Sequence, residues 1–537
     1  MLCFATVLLM FMPAVQKMTN MLSYWPLEGE TVKTPKPQLT YDDFLKGKYQ
    51  NNLEKYISEN FGFRAPLLRI HNQYLYDFYS KTYSDEVAIG KSNWLYFNFN
   101  VNEYYGKEMY RWVSKDDAVE KFTRQMRILN KLRAVLKDYD IEFMIFTSPD
   151  KADLYPQYLP DRDFDNTTIH AYDFYREEFA KHDFPYIDMN AWFKVVQDTL
   201  DYPAIPQTSA HWVFPSVYAA DSLFHFMAKE KGIVMPQIKI GKKIPISEET
   251  KHVIRDLEYG LNLWRPIKLD DYEYYDREVS VAADTNAVKM NAIFVGNSFF
   301  RAFNQYIPLN EIFNNVNYWF YNMTNFYGQR LQKSMPIGDT DRLYEIINAD
   351  YIVWFTDNAQ MYKISYGFAE DALIKLCVSD SLWNAEVKRY ADSLKISNWD
   401  ATVMLQKNPE LIRGLDVDHP TIRNSEGIAK AKCKYGINND KEWIKALKTQ
   451  AALQSKPLDA ILAEETDNFL NGRPLLRDNT IVSDSLIYDY EVNIIIDELK
   501  SSSEKMDMIR QKAKERSISI EEMLILDAQW IVDHRDE

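Results

Sequence analysis

The stretch Ala292-Ile293-Phe294-Val295-Gly296-Asn297-Ser298-Phe299-Phe300 decides how the chain is read. Its four leading apolar residues predict a buried strand. Gly296 and Asn297 then turn the chain sharply, and Ser298 stands where a following helix begins. A hydroxyl placed there is lifted off the C-terminal edge of a sheet. It sits beside the backbone N–H groups of a helix start, which suits a nucleophile next to an oxyanion site. The competing reading makes Ser298 a simple helix N-cap, because serine is a favoured cap.

Working outward, strands and helices alternate on the spacing of a parallel sheet. Ile141 to Thr147 is a strand that runs into the loop Ser148-Pro149-Asp150-Lys151. Asp116 to Leu136 and Tyr172 to Lys181 are helical, and Tyr186-Ile187-Asp188 is a short strand. Asn317 to Tyr321 and Asp350 to Thr356 read as further strands. This order implies right-handed crossovers and ligand binding at the C-terminal strand ends. Val87 to Phe97 reads as two short strands around a Gly-Lys-Ser-Asn turn. Gln207-Thr208-Ser209-Ala210-His211-Trp212 places His211 in a loop before a helix from Ser216 to Lys229. A lone histidine beside a tryptophan also fits a packed structural residue. Residues 238–290, rich in Tyr and Asp, read as an insertion into the domain.

Composition sets the outer bounds. At 537 residues the chain exceeds one ordinary core. Its 46% apolar and 14% aromatic content makes it globular, and the 36 Tyr and 12 Trp suit both cores and sugar-binding surfaces. A net charge of -15 excludes the basic footprint of a nucleic-acid binder. The three cysteines and eight histidines lack metal-ligand spacing, so neither a metal nor a cofactor is expected.

The expected organisation has four parts. Residues 1–17 are a signal anchor, because Leu2 to Val15 is an apolar run broken only by Thr6 and Pro13. The run lacks a basic leading region, which suggests a start further upstream. Residues 18–84 are a linker and N-terminal helices, with Arg64 either a clamp or a surface ion pair. Residues 85–377 are the α/β domain. Residues 378–537 are an α-helical repeat region: Trp383, Val387, Lys388 and Ala391 align with Trp443, Leu447, Lys448 and Ala451, and then with Lys505, Ile509, Arg510 and Ala513.

Several of these phrases together resemble the AlgX/AlgJ alginate O-acetyltransferase group. Gly90 with Trp94-Leu95-Tyr96, Pro149-Asp150-Lys151 with Tyr155-Pro156 and Leu159-Pro160, His211-Trp212, and Gly296-Asn297-Ser298-Phe299 are similar to its motifs in the same order. Glu59 to Arg64 is similar to the segment ahead of its domain. The resemblance spans about residues 40 to 360 and leaves the C-terminal region uncovered. It implies an SGNH-hydrolase-like parallel sheet flanked by helices, in a protein outside the cytoplasm that works on polysaccharide O-acetylation. Such proteins often work beside a membrane-bound O-acyltransferase. Ser298 maps onto the nucleophile and His211 onto the base. Backbone N–H groups near Ser298, with the Asn297 side chain, would hold the oxyanion, Gly296 belongs to the same substrate-binding or oxyanion set, and Lys151 would hold an anionic sugar or the acyl donor.

One position departs from the pattern. The group's acid lies two residues before the histidine, where this chain has Ser209. Three readings follow: a Ser–His dyad oriented by Ser209, a substitute acid among Asp188, Asp201 and Asp357, or a degenerate site. In the last case the chain is a polysaccharide-binding scaffold for a membrane acyltransferase.

Overall fold

The computed structural model describes residues 2–19, 26–29, 34–107, 114–165, 169–413, 415–417 and 424–534. The strands are β1 (Val87–Ile89), β2 (Leu95–Phe97), β3 (Glu142–Ser148), β4 (Tyr186–Asp188), β5 (Ile238–Ile244), β6 (Asp276–Val281), β7 (Met290–Gly296), β8 (Phe313–Phe320), β9 (Thr324–Tyr327), β10 (Lys333–Pro336) and β11 (Tyr351–Asp357). The chain divides into two compact units. One is Met1–Thr340 with Asp350–Ala369, and the other is Asp341–Ala349 with Glu370–Glu537.

The first unit is built on a seven-stranded sheet in the order β10-β9-β8-β7-β11-β3-β4. The five strands from β8 to β4 are parallel. β9 and β10 return antiparallel at one edge, which the all-parallel expectation did not include. β11 comes last in sequence but lies in the middle, between β7 and β3. Its residues are all buried, as a strand covered on both faces requires. Phe146, Phe294, Val353 and Phe355 pack on one face against Phe300, Phe303 and Trp212. The helix Lys115–Lys137 buries Phe122, Met126, Leu129 and Leu132, and its start is capped by Ser114, whose side chain accepts from the Asp117 N–H.

Register brings three strand ends together. Gly296 of β7 sits opposite Phe355 of β11, and Asp357 of β11 sits opposite Ser148 of β3. The turns after these strands carry Ser298, Asn358 and Asp150-Lys151. Gly296 is required by this close approach: a Cβ there would lie 2.6 Å from the Phe355 carbonyl oxygen and 2.7 Å from its Cβ. β1 and β2 form the expected small hairpin, and the Leu95 N–H donates to the Gln207 carbonyl at 2.9 Å. The insertion is more regular than its sequence suggests. β5 and β6 pair antiparallel, and between them run the short helices Glu248–Ile254 and Asp256–Leu261.

Asp150 caps the turn after β3 through the Ala152 N–H at 2.8 Å and the Asp153 N–H at 3.2 Å. It also accepts from the Asn100 side chain. Burial, with help from the nearby Asp153 and Asp357 charges, raises its carboxyl to about 8.

At the N-terminus, Leu2–Thr19 is a helix. Its Gln16 side chain accepts from the Phe63 N–H at 3.1 Å, and Pro13 lies against Gly62. Among the described residues no helix is long and apolar enough to cross a membrane. In the second unit three helix pairs share one joint. Lys395, Ser455 and Ser517 adopt left-handed backbone at φ 55°, 51° and 56°. In each, the next residue donates its N–H to an alanine carbonyl, Ala391, Ala451 or Ala513, at 3.1 Å. Those alanines are buried, where a larger side chain would crowd the joint.

Two predictions follow from this packing. Gly296→Ala pushes β7 and β11 apart and should cost about 2 kcal/mol, lowering the thermal midpoint by roughly 5 °C. A variant as stable as its parent would mean that the strands have room for a methyl group. Asp150 keeps its proton in the native state between about pH 4 and pH 8, where the unfolded chain releases it. The native state is therefore penalised increasingly as pH rises through that window, by on the order of 1 kcal/mol per unit. Asp150→Asn keeps a capping acceptor and removes this penalty, so the variant should gain on the parent between about pH 5 and pH 8. Equal losses of thermal stability in both proteins would count against it.

Candidate active site

Ser298 stands at the start of a 3-10 turn, Ser298–Phe300, that leads into the helix Arg301–Tyr306. The N-cap is Asn297, whose Oδ1 accepts from the Phe299 N–H at 3.2 Å. The hydroxyl of Ser298 is thereby relieved of capping. Asn297 is fully buried, and its Nδ2 donates to Asp357 Oδ2 at 2.6 Å. The expected oxyanion role of its side chain is corrected: Asn297 braces the turn from behind. Gly296 likewise serves the spacing of the sheet.

His211 reaches Ser298 directly. The Ser298 Oγ–H donates to His211 Nε2 at 2.7 Å. The other ring nitrogen, Nδ1, pairs with Asp256 Oδ2 at 2.5 Å. A carboxylate there holds the proton on Nδ1 and leaves Nε2 free to accept. Asp256 Oδ1 in turn accepts from the Ala210 N–H at 2.8 Å, so the acid grips both the loop and the ring it carries. Trp212 anchors the loop from the far side: it is wholly buried and donates from Nε1 to the Phe299 carbonyl at 2.8 Å.

Asp256 was not among the expected acids. It lies in the insertion, 45 residues beyond the histidine, among many other acidic residues. Only its place at the start of a short helix sets it apart. The three expected substitutes are engaged elsewhere. Asp188 caps the helix Met189–Val196 and accepts from the Tyr172 hydroxyl. Asp201 pairs with Lys243 and Tyr275. Asp357 accepts from Asn297 and Gln360, and burial raises its carboxyl to about 6. Ser209 does not replace the acid. Its hydroxyl accepts from the His211 N–H at 3.0 Å and donates to the His211 carbonyl at 2.9 Å, so it shapes the backbone and never meets the ring.

Lys151 is also corrected. Its ammonium is buried, with backbone carbonyls as its partners: Leu95, Pro206 and Ser209 at 2.7 Å each and Gln207 at 2.9 Å. Burial drives its pKa well below the usual lysine range. Its donors are spent on β2 and the histidine loop, which leaves none for a substrate. The structure thus brings Ser298 and His211 together, with Lys151 and Asn297 as braces.

The hydroxyl opens into a cleft of about 240 Å³. Phe97, Phe99, Tyr321 and Tyr362 give it aromatic walls, and Gln360 and Lys363 add polar groups. Tyr321 follows β8 in left-handed backbone at φ 50°, an uncommon state for an aromatic residue and one that tends to occur at functional sites. Burial raises its phenol, while side-chain hydrogen bonding with Gln360 and Ser298 opposes that shift.

No family model matches the sequence, and the search of curated proteins returns no match. Solved structures do match. The O-acetyltransferase domain of Pseudomonas putida AlgJ aligns at a TM-score of 0.34 and 12% identity, over 51% of this chain and 92% of that one. Pseudomonas aeruginosa AlgX aligns at 0.34 and 11%, over 53% and 67%. Bacillus cereus PatB1 aligns at 0.31 and 13%, over 51% and 97%. At scores this low the overlap decides nothing about the reaction, which has to be argued from the residues. AlgX and AlgJ, the group that the sequence motifs resemble, thus recur among the solved structures similar to this chain.

Proposed function

We propose that this chain is an O-acyltransferase or acetylesterase of the SGNH-hydrolase type, acting on a cell-surface polysaccharide through Ser298, His211 and Asp256. The observation that carries the reading is the unbroken line from Ser298 Oγ through His211 to Asp256, with contacts of 2.7 Å and 2.5 Å. A nucleophile, a base and an acid that orients the base are the parts acyl transfer needs.

In the proposed reaction, His211 Nε2 takes the Ser298 proton as Oγ attacks the acyl carbonyl of the donor. The tetrahedral oxyanion is met by the Ser298 N–H, which as the first of the turn has no partner within it. The Tyr321 hydroxyl, close to Ser298, is the second donor. When the carbonyl re-forms, the donor's leaving oxygen departs with the proton held by His211, and an acyl-serine remains. A sugar hydroxyl then gives its proton to His211 and takes the acyl group, restoring Ser298. Water in place of the sugar makes the same cycle an esterase. Asp256 stabilises the imidazolium.

The scaffold reading rested on a missing acid at Ser209, and Asp256 removes that motive. The extracytoplasmic location, the N-terminal membrane anchor and a membrane-bound O-acyltransferase as acyl supplier belong to this proposal. So does the reading of the helix pairs of the second unit as repeats that serve packing or partner contact.

Three variants test the site. A fluorophosphonate should add once to the full chain, as read by intact mass, and Ser298→Ala should abolish the adduct. Asp256→Asn should keep the fold and lower esterase turnover on a nitrophenyl acetate by about 10⁴, since the wrong imidazole tautomer is then favoured. Tyr321→Phe should cost about 10²-fold in turnover with little change in KM, as loss of one oxyanion donor does. An Asp256→Asn enzyme of parental activity would remove the acid from the mechanism.

A further inference from the structure

A second cavity, larger than the cleft at Ser298, lies at the C-terminal ends of β3 and β4. Its volume is about 380 Å³, within the roughly 300–1,000 Å³ of small-molecule sites. One short helix, Asn98–Tyr104, separates the two. Phe99 and Asn100 line the cleft, while Glu103 and Tyr104 line the cavity. The partition beneath is also shared: Asn100 donates to Asp150, Asp150 and Asn358 face the cavity, and Asp357 faces the cleft. A chain molecule lying across the strand ends would therefore meet both.

The lining says what kind of molecule that is. One side is an aromatic shelf, where Tyr104 and Phe164 have ring centroids 5.6 Å apart and Phe164 packs on Tyr105 at 4.7 Å. Phe164 stands 57% exposed at the rim, so its ring is open to a ligand in the cavity. The opposite side is polar, but its basic side chains are already paired. Arg176 meets Asp188 at 3.1 Å, Lys194 meets Asp153 at 2.9 Å, and His170 meets Glu103 at 3.5 Å. Asp173 adds a further carboxylate to the wall. The basic groups of the lining are thus each met by a carboxylate of the same wall or beside it, and with Asp173 added an anionic ligand finds no spare positive charge among the described residues. An uncharged pyranose fits both sides, with its C–H face on the rings and its hydroxyls on the carboxylates and amides.

We infer that this cavity is a saccharide subsite that holds uncharged sugar residues of the acceptor chain, neutral hexoses or N-acetylated amino sugars, while a neighbouring residue reaches Ser298. The inference rests on the reading that Ser298 transfers acyl groups to a saccharide. It adds that the acceptor is a neutral polymer and not a polyuronate.

The test uses the full chain, with chitotetraose, cellotetraose and tetragalacturonate as ligands, read by saturation-transfer NMR and calorimetry. At least one neutral oligomer should bind, and the uronate should show no saturation transfer at equal concentration. Phe164→Ala, at an exposed position that threatens no core, should weaken binding roughly tenfold, and Tyr104→Ala should do the same. Ser298→Ala should leave binding unchanged. Preference for the uronate, no binding by any of the three, or binding indifferent to both aromatic variants would each overturn the subsite. Fluorophosphonate labelling of Ser298 separates the two readings. Labelling without sugar binding sinks the subsite alone, and sugar binding without labelling sinks the transfer chemistry alone.

Discussion

The arrangement at Ser298 depends on one buried amino group. Lys151 Nζ gathers the carbonyls of Leu95, Pro206, Gln207 and Ser209, all within 2.9 Å. A buried amino group is expensive unless it is fully hydrogen-bonded, and carbonyls left without donors are expensive too. Each cost is met by the other. The loop before His211 turns its carbonyls inward on one point instead of pairing along a strand. His211 begins two residues beyond the last of them, and the Ser209 hydroxyl closes the backbone onto it. The position of the imidazole is thus inherited from a lysine at the end of β3. The rings of Trp94 and Tyr96, each 5.1 Å from Nζ, complete the enclosure.

The sheet was legible because its central strands are buried on both faces. Such strands must be continuous apolar runs, and β3, β7 and β11 are. Ser298 and His211 were legible for a related reason. A serine at a strand–turn–helix junction and a histidine in a loop before a helix are local patterns. The errors share a cause as well. Lys151 looks the same in sequence whether it faces a substrate or a ring of carbonyls, because burial is a tertiary fact. Asn297 and Ser298 both suit an N-cap, and only Asp357 beneath the turn decides that Asn297 takes it. Asp256 was invisible because its partner lies far along the chain and its neighbourhood is crowded with acids. β9 and β10 add an antiparallel edge that short polar strands announce weakly.

The acid of such a triad has a geometric duty only: a carboxylate oxygen on Nδ1, held so that the ring cannot turn. Nothing in that duty requires the acid to come from the histidine's own loop. When it lies two residues before the histidine, the loop must position it without help. Here the insertion supplies it, and the histidine loop is free to carry Ser209, whose hydroxyl serves the backbone at His211.

Borrowing the acid from another segment creates a demand of its own, because an insertion that drifts takes the triad with it. The contacts answer that demand at the loop itself. Thr208 Oγ1 donates to the Ile254 carbonyl at 3.0 Å, and the Ala210 N–H donates to Asp256 at 2.8 Å. Residues 208 and 210 thus meet residues 254 and 256 in step, as a two-residue pairing. The Glu258 N–H returns to the Thr208 carbonyl at 3.4 Å, and Glu258 is held by Arg255 and by the Ile267 N–H. Asp256 and the histidine loop are therefore tied to each other directly, while Lys151 ties the loop to the end of β3. The contact between Asp256 and Nδ1 that sets the imidazole tautomer is thus backed by three further bonds between the same two segments.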